Sequence, residues 1–595
     1  MNLKSLVVLC YLILTMLACE TTKQANNNED QNIQAGIEIQ AGEQAGEQAG
    51  EQAGEQAGEQ AGDDLLTGLA TSPTYYGQVK AIIDTHCAHC HSEGGAGLFD
   101  LTSYEQARTW GVAMVEATQS LRMPPWGAYE TEDCQPTRPW KEDQRLSAEQ
   151  LEILAQWVEA DMPEGDMNAK VDGERFIAKD LERVDFEGSA QIPVEVEPGG
   201  DSFICVVIDP QIQEETWLKG VAFEPDNQQL VHHIVLFSDP SRASLELMDE
   251  HGTYPCFGSS LVPGSITAAW APGGQPTILP ENHAIRVEPG TLFVMQMHYS
   301  PQGGASELSD QTHLRFQYAD ESPTHEAYLQ LMGNLDFTIH PGLGLQAQAE
   351  DSDPQQPDFI IPANAEQHRE TLRWTYTGDL PGGPDGFGGI DGLGELKLIS
   401  VAPHMHYAGV DMQVHVTRPE ADGAACAPGT LSSFFACANE AGCLDSRDAL
   451  ACMQTECNAQ WEALSLSCWG CAHRVFTNRG SQAESIAQIS ACERSEASRQ
   501  ALAQPANECL VSTPMYDFDW QRPYAYDVAI EDLPSFMPGD VLTINCGYNN
   551  SMSNPSMREA LNRAGLSETI PVHLGDETLD EMCLVGLLFS FERNQ

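Results

Sequence analysis

The chain has 595 residues, enough for about three or four domains, and a hydrophobic content of 42% that can supply their cores. It carries 29 basic and 88 acidic side chains, which gives a formal net charge of −59. So large an acidic excess argues against nucleic acid or an anionic membrane surface as a partner, because both repel negative charge.

The first 19 residues have the form of an export signal. Lys4 precedes a largely apolar run over residues 6–18, which is too short to span a bilayer. The run ends in Leu-Ala-Cys19, which resembles the lipidation box of bacterial lipoproteins. We therefore predict that Cys19 is lipidated and that the exported protein is anchored to the bacterial membrane, in the periplasm or at the cell surface. Ordinary signal cleavage beside an incidental cysteine is the alternative.

Residues 20–71 are polar and repetitive, and the tetrad Gln-Ala-Gly-Glu recurs over residues 40–62. A stretch without apolar periodicity cannot bury a core, and a glycine in every tetrad disfavours a helix. This pattern predicts a flexible acidic linker between the lipid anchor and the rest of the protein.

Residues 72–165 have the apolar spacing of helices, and a capping-box pattern at Ser147 begins the last of them. Within this region, Cys87-Ala-His-Cys90-His91 is the attachment sequence of c-type haem. The two thiols bind the porphyrin covalently and the adjacent imidazole binds the iron. The region resembles the class I cytochromes c, and we predict an α-helical haem domain.

Met123, in Arg-Met-Pro-Pro-Trp, is the favoured candidate for the second axial ligand of that haem. It follows His91 in a rigid, proline-rich loop. A methionine and histidine pair raises the iron potential, which suits electron transfer more than oxygen binding.

From about residue 185 onwards, apolar and polar side chains alternate in short runs separated by turn residues. Two series of such runs predict two β-sandwich domains in tandem, over residues 185–325 and 326–595. A cysteine-rich insertion at residues 423–508 has helical composition. Its Cys468-Trp-Gly-Cys471 invites a redox or zinc interpretation, but among so many cysteines of an exported protein a structural role is favoured.

Histidines and a methionine that suit copper occur in four short segments of the two predicted sandwiches. They are His232 and His233 in VHHIVLF, His298 in VMQMHYS, His404 and His406 in APHMHYAG, and Met582 in LDEMC. Imidazole and thioether ligands together suit copper that cycles between its two oxidation states.

Each of these segments also has a structural interpretation. His404 and His406 share one face of a strand, but two exposed strand histidines would look the same. His232 and His233 can bind one metal only if the strand twists or bulges, because adjacent residues of a regular strand point to opposite faces. Met582, taken alone, is more often a core residue.

In their order along the chain, these segments resemble the copper type II, ascorbate-dependent monooxygenases, the family of dopamine β-monooxygenase and the peptidylglycine hydroxylases. The resemblance covers about residues 200–595 apart from the insertion, and it implies tandem jelly-roll-like sandwiches that hold two copper ions. It implies that His404, His406 and Met582 bind the copper at which oxygen reacts. The copper that supplies the second electron would be held by His232, His233 and His298.

The resemblance also implies a disulfide between Cys546 and Cys583. The peptidylglycine hydroxylases hold a peptide carboxylate with an arginine, an asparagine and a tyrosine near the second ligand set. Ala402, Leu584 and Gly586 stand at those places here. We therefore expect a neutral or apolar small-molecule substrate.

Taken together, the sequence predicts a mainly β multidomain protein with an N-terminal cytochrome c domain. Its expected activity is hydroxylation of a C–H bond with O2, with electrons supplied through the fused haem. A redox donor protein or a quinol-linked donor would reduce the haem, and ascorbate is a further candidate reductant. The alternative is a non-catalytic copper-binding, electron-transfer surface lipoprotein, which would bind metal without consuming oxygen.

Overall fold

The structure is a computed structural model that describes residues 72–593 except 93–94, 96, 98, 174–178, 197–200, 257–258, 273, 301–307, 335–342, 347, 349–357, 377, 379, 381–389, 391–392, 419–425, 427–428, 446–448, 465–467, 469–474, 476–488, 490–491, 494–505 and 576–578. The predicted signal, Cys19 and the repeats of residues 20–71 therefore lie outside the described residues. Within the described ranges, no helix is long and apolar enough to cross a membrane.

The first part of the described chain is helical. A π-helical turn at Tyr75–Val79 leads into α1 (Lys80–His86), followed by α2 (Tyr104–Gln119), α3 (Ala148–Glu159) and a 3₁₀ turn at Met167–Ala169. The predicted capping box is present, because Ser147 and Gln150 each accept the backbone N–H of the other with their side chains. Ile83, Leu154 and Trp157 lie in the small core between these helices.

Strands dominate the chain after residue 185, as the alternating pattern predicts. The first group is β1 (Phe186–Ser189), β2 (Val194–Glu195), β3 (Ser202–Ile208), β4 (Thr216–Glu224), β5 (Val231–Asp239), β6 (Thr253–Pro255), β7 (Ile266–Trp270), β8 (Thr277–Ile278), β9 (His283–Val287), β10 (Leu292–Tyr299), β11 (Ser309–Asp310) and β12 (His313–Tyr318), with the short helix α4 (Ser244–Leu247) after β5.

The second group is β13 (His325–Gly333), β14 (Leu343–Leu345), β15 (Ile360–Ile361), β16 (Ala365–Thr375), β17 (Leu396–His404), β18 (Gly409–Thr417), β19 (Asn507–Thr513), β20 (Tyr524–Ala525), β21 (Ser535–Phe536), β22 (Val541–Asn550), β23 (Val572–His573) and β24 (Leu584–Glu592). Between them lie 3₁₀ turns at Phe518–Trp520 and Ile530–Asp532, and helix Pro555–Arg563. The protein is thus rich in β-structure and contains several sheets.

One ten-stranded sheet runs through both strand groups, in the order β1-β12-β4-β9-β13-β24-β17-β20 along its main path. The groups join where β9 and β13 pair in parallel, with His283 opposite His325. The five-stranded sheet β6-β3-β10-β5-β7 packs on the first half, and the sheet β14-β16-β22-β18-β19 packs on the second half. A single hydrogen-bonded sheet therefore connects the two strand groups and fixes their relative position.

Residues 126–141 lie against the second strand group, although they come from the helical region of the sequence. Trp126 and Trp140 are buried in the same core as β17, β18, β22 and β24. A disulfide joins Cys134 to Cys509 of β19. Backbone hydrogen bonds also cross, from Tyr129 N–H to Ser512 O at 3.0 Å and from Lys141 N–H to Ala525 O at 2.8 Å. The helical region is consequently fixed to the second strand group by covalent and core contacts.

The insertion is helical where it is described, as its composition predicts. Its elements are α5 (Thr430–Glu440), a 3₁₀ turn at Cys443–Asp445, α6 (Ala449–Glu456) and α7 (Asn458–Ala463). Three disulfides hold it together, namely Cys426–Cys468, Cys437–Cys457 and Cys443–Cys452. Because Cys468 is bonded to Cys426, it is not available as one thiol of a Cys-x-x-Cys redox pair or zinc site; Cys471 lies outside the described residues.

Candidate metal centre

The first histidine group lies at a β-bulge between β5 and β10. His233 pairs with His298, but the next pair is Val231 with Tyr299, so that His232 is an extra residue on β5. The bulge brings the side chains of His232 and His233 together, where a regular strand would send them to opposite faces. The backbone irregularity that a shared metal site requires is therefore present.

The three imidazoles of this group converge through their Nδ1 atoms. His232 Nδ1 lies 3.2 Å from the Nδ1 of both His233 and His298, and the remaining Nδ1–Nδ1 distance is 3.4 Å. A point equidistant from the three nitrogens lies about 1.9 Å from each, close to the ~2.0 Å of metal–imidazole bonds. Each ring nitrogen of a neutral imidazole is either a hydrogen-bond donor or an acceptor. Among three nitrogens at least two therefore have the same role, and those two cannot hydrogen-bond each other. A metal cation satisfies all three.

Two of these imidazoles, His233 and His298, are neutral at ordinary pH. Burial lowers the pKa of His298 to about 4, and burial with the neighbouring histidines lowers the pKa of His233 well below its usual range. The neutral form is the one that binds a metal ion. The electrostatic environment of the group therefore fits metal binding.

Aromatic rings and one carboxylate orient the first group. The His298 ring stacks on Phe203 with centroids 4.2 Å apart, and the His232 ring stacks on Phe518 at 4.8 Å. His298 Nε2 lies 3.7 Å from Asp201 Oδ1. Burial alone would raise the pKa of Asp201, but the contact with His298 outweighs it and lowers that pKa to about 2. A carboxylate behind a metal-binding imidazole raises the basicity of the ring.

The second group lies at the adjoining ends of β17 and β24. His404 ends β17 and pairs with Leu584, the first residue of β24. His406 follows β17 in a turn, and Met582 precedes β24 by two residues. The His404 and His406 ring centroids are 5.4 Å apart and their planes are at 87°. Both His404 and His406, together with Met582, face one cavity.

Hydrogen bonds at Nδ1 orient both imidazoles of the second group. His404 Nδ1 donates to the side-chain oxygen of Gln521, and His406 Nδ1 donates to the backbone oxygen of Asp580 at 2.9 Å. Nε2 is then the atom of each ring that can bind a metal. Burial, together with the neighbouring His406, lowers the pKa of His404 to about 3. A thioether from Met582 would complete a ligand set that suits copper.

The buried carboxylate of Glu581, the residue before Met582, connects Met582 to the turn that contains His406. One oxygen of Glu581 accepts the N–H groups of His406 and Met582 at 2.8 and 3.0 Å. The other oxygen accepts the N–H groups of Ala408 and Gly409 at 2.7 and 3.2 Å. Burial raises the pKa of Glu581 to about 7 in spite of these four bonds. This side chain therefore fixes the separation between two of the three candidate ligands.

The segment after Met582 is fixed independently. The disulfide between Cys546 and Cys583, which the resemblance implies, is present. Tyr548 OH donates to the Met582 backbone oxygen at 2.7 Å, and the Cys583 N–H donates to Asn334 at 2.6 Å. Met582 thus has little freedom to move away from the two histidines.

One cavity of ≈ 240 Å³ is lined by residues of both ligand groups, namely His233, His298, His404, His406 and Met582. Its wall is largely apolar, with side chains such as Ile266, Trp270 and Leu329 between the two groups. Ala402, Leu584 and Gly586, which replace the carboxylate-binding residues of the peptidylglycine hydroxylases, also line it. The charged groups of its lining are Asp201 and Arg522. The cavity therefore suits a compact, mostly apolar molecule.

The CxxCH residues lie at the end of α1 and in the turn that follows. The thiols of Cys87 and Cys90 form no disulfide within the described structure. His91 Nδ1 donates to the Phe99 backbone oxygen at 3.1 Å, which leaves Nε2 to bind iron. A side chain on Gly97 would come within 2.5 Å of the His91 ring. Unpaired thiols and an oriented imidazole fit a covalent haem.

Met123 lies after α2, beside a different cavity of ≈ 250 Å³. Tyr129, Arg145 and Leu151 line that cavity, and among the described residues none of the CxxCH side chains does. The role of Met123 as the second axial ligand of a haem stays a prediction.

A third cluster of metal-type side chains comprises Cys134, His415 and Cys509. The two sulfur atoms are bonded to each other in a disulfide. A disulfide sulfur is a poor metal ligand compared with a thiolate. This cluster is therefore structural.

Several residues that position the candidate ligands carry no sequence signal. Phe518 and Gln521 lie in an aromatic and polar segment more than 110 residues after His404. Glu581 and Asp201 are single acidic residues among 88. Only the proximity of Glu581 to Met582 in the sequence could have suggested a role for it.

No model of a known protein family matches this chain, and no curated protein matches it either. Its chemistry is therefore inferred from its own residues and their arrangement.

Proposed function

We propose that this chain is an exported copper-dependent monooxygenase that hydroxylates a C–H bond of a small, largely apolar molecule. The observation that supports this proposal is the pairing of two unlike donor sets on one apolar cavity. A three-imidazole set and a set of two imidazoles and a thioether suit two copper ions with different tasks. In this reading the strand groups are tandem jelly-roll-like sandwiches of the copper type II, ascorbate-dependent monooxygenase class.

The chain itself binds and orients. The imidazoles of His232, His233 and His298 would hold one ion, and His404, His406 and Met582 would hold the other. The apolar wall excludes water from the substrate and favours C–H-rich molecules over charged ones. Bound copper would supply the one-electron chemistry through which dioxygen attacks a C–H bond. One oxygen atom would enter the substrate and the other would leave as water, which requires two electrons and two protons.

A cytochrome c domain within residues 72–165 would deliver those electrons. Its haem would be held by Cys87, Cys90 and His91, with Met123 as the predicted second axial ligand. A redox donor protein or a quinol-linked donor would reduce the haem, and ascorbate is a further candidate. Lipidation at Cys19 would hold the enzyme at the bacterial membrane, close to such donors.

Metal analysis combined with oxygen uptake tests the copper assignment. The purified holoprotein is expected to hold two copper ions per chain and to consume oxygen when a reductant and a suitable apolar substrate are added. Uptake of zinc in place of copper on reconstitution would contradict the assignment. Two bound copper ions without oxygen consumption across a broad substrate panel would favour the non-catalytic electron-transfer alternative.

A second test addresses the haem. Replacing both Cys87 and Cys90 with alanine is expected to abolish haem that survives denaturation, because no thioether bonds can form. Haem staining after denaturing electrophoresis measures this. The matched control replaces Cys443 and Cys452, a disulfide pair of the insertion, and should keep the haem. Covalent haem in the Cys87→Ala, Cys90→Ala protein would disprove the attachment site.

A further inference from the structure

Residues 518–524, which we call the bridging segment, contact the cavity on one side. The Phe518 ring lies 4.8 Å from the His232 ring and 6.3 Å from the His406 ring, so it separates the two ligand groups. The side chain of Gln521 binds His404 directly. Gln521 and the next two residues of the segment also line the cavity. This segment therefore contacts both candidate metal sites.

The same segment contacts the haem-binding region. The guanidinium of Arg522 lies 4.9 Å from the centre of the Trp126 ring. The Tyr524 ring is 5.2 Å from the same tryptophan, and the Gly127 N–H donates to Tyr524 OH at 2.9 Å. Trp126 follows the predicted haem ligand Met123 by three residues.

Arg522 is half-buried and lines the cavity. No ion-pair partner of Arg522 is present among the described residues, and its Nε is buried without a hydrogen bond. The Arg522 guanidinium thus contacts both Trp126 and the cavity.

We propose that the bridging segment is the electron-transfer contact between the haem and the copper cavity, with Trp126 and Arg522 on the haem side. This inference rests on the proposed function. One electron leaves a ferrous haem, which becomes ferric, and reduces a cupric ion in the cavity to cuprous. No bond to the protein forms or breaks in this step.

Fixed geometry makes this contact effective. The helical region is joined to the second sandwich by the Cys134–Cys509 disulfide and by the stacking of Trp140 on Tyr526 at 4.9 Å. The donor therefore need not diffuse to the acceptor, and transfer within one chain is independent of protein concentration. Buried aromatic and amide groups also reorganise less than water when charge moves.

Flash photoreduction of the holoprotein tests the contact directly. Protein loaded with haem and Cu(II) is held under anaerobic conditions without substrate, and a photoexcited flavin reduces the haem. Haem absorbance then reports its reoxidation, while the Cu(II) paramagnetic resonance signal reports copper reduction. The wild-type rate is expected to be independent of protein concentration. Copper-free protein should keep its haem reduced.

Trp126→Leu is expected to slow haem reoxidation about tenfold or more, equivalent to ~1.4 kcal/mol of barrier. The matched control is Trp374→Leu, which removes another buried tryptophan of the same core, on β16, whose described ring contact is with Tyr376 and not with the bridging segment. It should leave the rate near the wild-type value. Arg522→Gln, at a half-buried position, provides a second test that does not open the core, and it should slow the reaction in the same direction. Haem midpoint potentials and near-ultraviolet circular dichroism check that all variants are folded.

Equal rates in Trp126→Leu and Trp374→Leu, with Arg522→Gln unchanged, would overturn the inference while leaving the proposed function intact. A rate proportional to protein concentration would also overturn it, because transfer would then occur between molecules. If the purified protein binds no copper or no haem, both the proposed function and this inference are contradicted.

Discussion

Replacing His233 with alanine is expected to lower the copper content from two ions per chain to one. The three Nδ1 atoms lie 3.2–3.4 Å apart, so the removal of one leaves a two-ligand site open to water. Loss of a neighbour that merely supports a ligand costs 10–100-fold in metal affinity, and loss of a ligand should cost at least about 100-fold. Copper analysis after dialysis measures the change, and paramagnetic resonance identifies the ion that remains.

His415→Ala is the matched control for this prediction. Its imidazole lies beside two sulfur atoms that form a disulfide, so it should hold no copper. Two copper ions are expected to remain in His415→Ala. An unchanged copper content in His233→Ala would contradict the three-histidine site, and a loss in His415→Ala would place a metal at the third cluster.

Replacing Glu581 with alanine is expected to destabilise the fold by at least about 3 kcal/mol and to release copper from the second site. Four backbone N–H groups would lose their acceptor, which is a fully buried carboxylate. Glu581→Gln should rescue only part of the loss, because one carboxylate oxygen becomes an NH2 group that faces two N–H donors. Urea unfolding followed by fluorescence gives the change in the free energy of unfolding.

Glu559→Ala provides the comparison for Glu581. That carboxylate is exposed and forms an i, i+4 ion pair with Arg563 at 2.7 Å. Such a pair contributes about 0.3–0.5 kcal/mol, so the variant should keep both wild-type stability and wild-type copper content. If Glu581→Ala matched Glu559→Ala in both measurements, the buried carboxylate would not position the ligands.

Much of the fold follows from the sequence, because its signals are local. The period-two pattern of strands such as β12 and β18 reflects the alternation of side chains across a sheet. The capping box at Ser147 is likewise contained within four residues. The sequence could predict that a shared metal site at His232 and His233 requires a bulge, since two adjacent residues of a regular strand cannot bind the same metal.

The remainder could not be derived from the sequence, because it depends on contacts between distant segments. Trp126 and Trp140 belong to a region that the sequence predicts to be helical. They nevertheless pack in the core of strands that follow hundreds of residues later in the chain. The pairing of β9 with β13, which joins the two strand groups into one sheet, has no turn or spacing signature. Gln521 binds His404 across a cysteine-rich insertion, and no local pattern identifies such a partner.

The disulfide between Cys134 and Cys509 has a consequence for the response of the protein to proteolysis. A protease that cuts the connection between the helical region and the first strands would produce two pieces that cannot separate. They would stay joined by this bond and by the buried tryptophans on either side of it. Nicked molecules should therefore migrate as one species on a non-reducing gel and resolve into fragments only after reduction.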